Sequence, residues 1–178
     1  MLVVAELLSI WEDLVKVLLT TNTTWAQTIQ TSQRLCNLGT PHPTLADTYA
    51  FPTAHQIASL DFESLAEQLR AGYRTAYLYE LANQIASGQL DVESWRAFDS
   101  DTLYKQVKSL KGYGDYAAGT MVRMLGHFDK LAIDSACRDM YARLHNNGEK
   151  GDDKAIKAQY EAFGVWKGLI MWMNIMRQ

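Results

Sequence analysis

Cysteine is almost missing from this 178-residue chain, which holds only Cys36 and Cys137. A chain of this length buries a core without staples, so both thiols are expected reduced and the compartment intracellular or cytoplasmic. Two cysteines cannot hold a four-thiolate cluster. His42, His55, His127 and His145 show no ligand spacing with each other or with the cysteines, so no metal or other cofactor is expected. Proline is as scarce: the three prolines all fall within residues 39–52, the one long irregular stretch. No apolar run approaches the roughly 18 residues of a membrane span. The apolar opening Met1–Ala5 is too short for a signal peptide and has no basic stretch before it. Positive charge is not in excess either, at 17 Lys and Arg against 20 Asp and Glu. That excludes a uniformly basic nucleic-acid binder, although a local basic patch would suffice. Strand-period segments, internal repeats and low-complexity tracts are also lacking.

What remains is helix. Hydrophobic residues make up 48% of the chain, and Leu, Ala, Gln, Met and Lys are abundant. Apolar positions 7, 8, 11, 14, 15, 18 and 19 form one face of a helix over Glu6–Leu19. Thr20–Thr24 breaks it with cap-forming residues, and Trp25–Leu38 resumes before Gly39. Ala54–Leu60, Phe62–Ala71 (capped by Asp61, ended by Gly72) and Thr75–Ser87 (stopped by Gly88) follow. Asp91 and Ser100 read as N-caps of Val92–Phe98 and Asp101–Leu110. Further helices are expected over Asp115–Leu125 and Ser135–Leu144, with two more after a polar linker at 146–153. The last of these, Val165–Met176, is apolar almost all round and is expected to be buried on several sides. The fold class is all-α, with about ten helices.

One constellation carries chemistry. Leu110-Lys111-Gly112-Tyr113-Gly114-Asp115 places two glycines between helix-forming runs, and Ala132-Ile133-Asp134-Ser135 follows. A tight turn that bares backbone N–H groups at a helix start is an anion cradle. Taken alone, two glycines equally fit a plain helix–helix turn. Ala117 and Ala118 are small where two helices would cross. Asp134 precedes a helix and is an obvious N-cap; a helix N-terminus also favours a negative charge there.

Together these residues resemble the helix-hairpin-helix and Gly/Pro-rich-loop-and-Asp signature (HhH-GPD) of the endonuclease III superfamily of base-excision DNA glycosylases. The resemblance covers roughly Leu14–Leu144 and, more faintly, Phe163–Leu169. It implies two helical lobes around a central cleft. Residues 18–129 would form a helical barrel lobe containing the hairpin, and 1–17 with 130–178 the second. Asp134 would be the catalytic aspartate. Lys111, Gly112, Tyr113 and Gly114 would bind the DNA backbone, with Lys111 standing where the family usually has proline. Tyr116 stands 18 residues before Asp134, at the position of the lysine nucleophile of the bifunctional members. Water attack and a monofunctional enzyme follow, with Tyr116 lining the base pocket or packing in the core. Thr20–Trp25 is similar to the segment that fills the gap left by a flipped base; Asn22 would be the filler and Trp25 a pocket wall. The residue readings leave Asn22 as a cap, Trp25 as packing and Arg74 as a solvated surface arginine. The endonuclease III iron–sulfur cluster has no ligands here. The N-terminus looks short for the family. The implied partner is double-stranded DNA containing a damaged base, bound by a monomer away from any membrane. An alkylated purine, best an adenine, is the first-choice lesion. The alternatives are a deaminated or mismatched base, or a non-catalytic helix-hairpin-helix DNA-binding module.

Overall fold

A computed structural model describes residues 9–177. Within them are ten α-helices and no β-strand, only one isolated bridge between Pro41 and Tyr49. The chain divides into two compact units, with the boundary in the sequence between Ala97 and Phe98.

In the first unit run α1 (Ile10–Thr20), α2 (Trp25–Cys36), α3 (Ala54–Ala58), α4 (Phe62–Leu69) and α5 (Tyr73–Ala86), then a 3-10 turn at Glu93–Ala97. Expected residues 6–8 of the first helix lie outside the described residues. Ser9 caps α1, and Thr24 forms a reciprocal capping box with Gln27 at the start of α2. Asn22 is therefore not the cap. Helix α5 packs on α1, α3 and α4. Leu14, Leu18, Leu35, Ile57, Leu65 and Leu78 are fully buried, each contributing about 1.5–3 kcal/mol of transfer free energy. The indole of Trp11 donates to Pro52 O at 2.8 Å, which ties the end of the proline-bearing loop to α1. Two boundaries differ from expectation. Arg70, in the left-handed region at φ 51°, terminates α4, and Gly72 at φ 61° starts α5 instead of ending α4. The segment after Asp91 is only one 3-10 turn, although Asp91 does accept from Ser94 N–H at 3.3 Å.

The second unit contains α6 (Ser100–Ser109), α7 (Asp115–Met124), α8 (Ser135–His145), α9 (Asp153–Glu161), a 3-10 turn at Gly164–Trp166, and α10 (Lys167–Met176). Asp99, not Ser100, caps α6 by accepting from the N–H groups of Asp101 and Thr102, both at 3.0 Å. The Ser100 hydroxyl instead donates to Asp129. A carboxylate one residue earlier outcompetes the hydroxyl because it accepts two amides at once. Helices α8, α9 and α10 pack on one another around Cys137, Met140, Tyr141, Ile156, Tyr160 and Met171. Against expectation, α10 buries only Gly168 and Met171, while Trp172, Met173 and Met176, and Trp166 just before the helix, stay exposed. Its apolar composition overstated its burial because one stripe suffices for the contact: a side chain at Gly168 would strike the carbonyls of Phe128 and Lys130.

Candidate functional site

The hairpin is built as the glycines dictate. Helix α6 ends at Ser109 with Leu110 as its C-cap, and Tyr113 N–H closes the turn on Leu110 O at 3.3 Å. Gly112 supplies the turn with φ 88°, a conformation costly for any side chain. The Tyr113 ring is buried and plugs the loop, and burial pushes its phenol pKa up. Gly114 sits at the N-cap of α7 in extended conformation, with φ −89° and no side chain capping the helix. A Cβ added at Gly114 would meet nothing within 4 Å, so the surface beside the first-turn amides of α7 is open. Asp115, also in that turn, is engaged from the side: Tyr104 OH donates to its Oδ1 at 2.8 Å and the Lys108 ammonium bonds the same oxygen. Those two hydrogen bonds, Lys108 first, hold the Asp115 carboxyl below the usual carboxylate range. Tyr104 is pushed to about 12, by burial first and by Asp115 second. Lys111 is exposed beside the turn.

Helix α7 then leads to the aspartate. Gly119 is tight against the following strand-like segment: a Cβ there would lie 2.8 Å from Leu131 O and 3.1 Å from Ala132 Cα. This close approach brings residues 131–134 along the α7 face that carries Tyr116, Thr120 and Arg123, at i, i+4 and i+7. Asp134 caps α8 as expected, its Oδ1 accepting from Cys137 N–H at 2.8 Å, and it remains half-buried. Cys137 is buried within its core cluster, its thiol pushed up to about 12 chiefly by desolvation, and it anchors the capped turn. Tyr116 is half-buried. The Arg123 guanidinium stacks over the Trp172 ring, 5.5 Å from its centroid. Burial lowers the Arg123 pKa, and the fields of Tyr116 and Asp134 oppose that shift. Sequence reasoning missed Arg123. Its i+7 register to Tyr116 was the available signal.

In the first unit the 20–25 turn is held from α5. Asn22 is exposed and sits in the left-handed region at φ 47°. Arg74 donates through Nε to Thr21 O at 2.8 Å and through Nη2 to Asn22 O at 2.7 Å. The Asn22 amide donates to Tyr73 OH at 3.2 Å, and Arg74 lies over the Tyr73 ring. Arg74 is therefore a backbone clamp and not a solvated surface residue. Carbonyls left unpaired by a left-handed residue form the acceptor pair that a planar guanidinium fits. Trp25 opens α2 with its indole 72% exposed, on the rim of a cavity of about 560 Å³ shared with Thr28, Ile29, Cys36 and Tyr49. It does not pack in the core.

Residues 15–164 match the family model of the HhH-GPD superfamily base excision DNA repair proteins. The chain belongs to that family. The hairpin and Asp134 both lie within the matched residues. Curated proteins gave no match. Solved structures did. One is MBOgg1 in complex with a low-affinity DNA ligand (TM-score 0.82, 20% identity, 94% of this chain and 58% of that one). Another is a Clostridium acetobutylicum 8-oxoguanine glycosylase/lyase with duplex DNA containing cytosine opposite 8-oxoG (0.81, 17%, 95% and 59%). A third is the 3-methyladenine DNA-glycosylase of Archaeoglobus fulgidus (0.75, 20%, 94% and 57%). At these identities the likeness establishes the all-α HhH-GPD fold. The chain spans less than two thirds of the length of each of the three. No described helix is long and apolar enough to cross a membrane.

Proposed function

We propose that this HhH-GPD protein is a monofunctional DNA glycosylase that binds duplex DNA as a monomer and hydrolyses the N-glycosidic bond of a damaged purine. The observation that carries the reading is Asp134 at the start of α8, 18 residues past a tyrosine that cannot act as an amine nucleophile. One oxygen of Asp134 is occupied by Cys137 N–H, which fixes the carboxylate while its half-exposed remainder faces outward. Such a group stabilises positive charge developing on the deoxyribose and orients the attacking water. The water oxygen bonds to C1′, the C1′–N bond breaks with its electron pair leaving on the base, and the water proton passes to Asp134 and on to solvent.

The hairpin serves as the anchor. Its uncapped first-turn amides, the open surface at Gly114 and the Lys111 ammonium suit a backbone phosphate. The Arg74 clamp presents Asn22 as the residue that enters the duplex where the extruded nucleotide was. Trp25 and Tyr116 supply aromatic surfaces for a base. The lobe division at 18–129 against 1–17 with 130–178 belongs to this reading. Relatives of this fold include both an 8-oxoguanine glycosylase/lyase and 3-methyladenine glycosylases, so the likeness spans neutral and alkylated lesions alike. The sequence put an alkylated adenine first, because a cationic base leaves with little help. The second choice is a deaminated or mismatched base. The reading is tested by incubating the protein with duplexes carrying a lesion panel and measuring free base. A binding module without catalysis would shift the duplexes on a gel and release none.

A further inference from the structure

The Arg123 side chain lies on α7 over the Trp172 ring, apart from the hairpin and the Asp134 cap. It is half-buried, and among the described residues its guanidinium forms no hydrogen bond or ion pair. Its planar face rests on Trp172, which fixes the guanidinium and leaves its edge free to donate. A buried orphan lies one turn away on the same helix face. Thr120 is only 7% exposed, and its hydroxyl also has no partner. A buried hydroxyl without a partner is costly, and with the open edge of a guanidinium beside it on the face that carries Tyr116 it marks a place where a ligand supplies the acceptors. The helix register and the Gly119 contact keep this face turned toward residues 131–134.

We infer that Arg123, with Thr120, selects uncharged lesion bases that carry carbonyl or ring-nitrogen acceptors and rejects cationic alkylated ones. The inference rests on the glycosylase reading and names its substrate class. The chemistry follows from where the electron pair goes. When the C1′–N9 bond of a neutral purine breaks, the pair leaves on the base, which departs as an anion delocalised onto its ring nitrogens and carbonyl oxygens. A guanidinium fork donating to those atoms gains strength as the negative charge develops, so it stabilises the transition state more than the bound substrate. The base then takes up a proton from solvent. A purine alkylated at N7 or N3 is positive before cleavage and leaves neutral. Beside Arg123 it meets like charge on binding and gains nothing on departure.

The test is single-turnover base release from duplexes carrying neutral lesions (hypoxanthine, 8-oxoguanine, 1,N6-ethenoadenine) and cationic ones (7-methylguanine, 3-methyladenine). Wild type should release at least one neutral base and prefer it over both cationic bases. In Arg123→Met, checked for folding by circular dichroism, the ratio of neutral to cationic release rates should fall at least tenfold. Arg123→Lys, which keeps the charge but not the fork, should keep most of the ratio. Release of cationic bases only would overturn the inference and leave the glycosylase reading standing. An unchanged ratio in Arg123→Met, including an equal loss on every duplex as expected of a phosphate contact, would also overturn it. No release from any duplex would instead sink the glycosylase reading.

Discussion

Replacing Asp134 by asparagine separates catalysis from structure. The structural role of Asp134 is one accepted hydrogen bond, from Cys137 N–H at 2.8 Å. Asparagine retains an acceptor oxygen there and is an equally good N-cap, so the exchange itself costs a few tenths of a kcal/mol. Losing the charge removes a helix-dipole interaction of about 0.3–1 kcal/mol and the negative neighbour of Arg123. A total near 1 kcal/mol corresponds to a melting temperature lower by about 2–4 °C in a chain of this size. DNA affinity should hold, because a negative charge has been removed from a surface that meets phosphates. Turnover is another matter. A group that stabilises charge only in the transition state is worth about 3 kcal/mol or more, which is two or more orders of magnitude in rate. Single-turnover base release, a thermal melt and a binding titration on one preparation measure all three. Release at the wild-type rate would remove Asp134 from the mechanism, and a melt lowered by more than about 10 °C would reassign it to structure.

The other sites make predictions of their own. Gly114→Arg should fold, since Gly114 has φ −89° and open space around it, yet bind lesion-bearing and undamaged duplexes more weakly alike. Lys111→Ala should lower the salt slope of binding by about one unit, and undiminished binding by both variants would count against the anchor. Gly119→Ala gains about 1 kcal/mol of helix propensity but forces a methyl to 2.8 Å from Leu131 O, an overpacking cost of about 1–3 kcal/mol. Its melting temperature should therefore fall, and a rise would mean that α7 moves away freely. Arg74→Met leaves the Thr21 and Asn22 carbonyls without their donor and should weaken lesion DNA more than undamaged DNA. Equal affinities would show that the clamp does not serve recognition.

Helix number and type were legible because the apolar periodicity of α1 and α4 and the caps at Asp61 and Asp134 are local signals. The hairpin was legible for the same reason: glycine is the residue that a φ of 88° at position 112 demands. Misplaced features were those decided by competition or by tertiary contact. Asp99 and Ser100 are both capping residues, and only the structure says which one accepts the amides. The exposure of α10 follows from Gly168 meeting the carbonyls of residues 128 and 130, a contact that composition does not encode. Arg74 read as a surface cation because its acceptors are main-chain carbonyls more than 50 residues away. Arg123 was overlooked because a lone arginine on an amphipathic helix is ordinary until Trp172 and Asp134 are found beside it.

Whether this chain cleaves the glycosidic bond by water attack is decided on a single gel. A lesion duplex that it processes is incubated with borohydride in one lane and without it in another, half of each being treated with alkali. Tyr116 offers no amine, so no covalent protein–DNA adduct should form, the strand should stay whole until alkali breaks it at the abasic site, and free base should appear at the same rate in both lanes. A borohydride-trapped adduct, or strand breakage before alkali, would contradict the monofunctional mechanism and direct attention to Lys111 as the attacking amine.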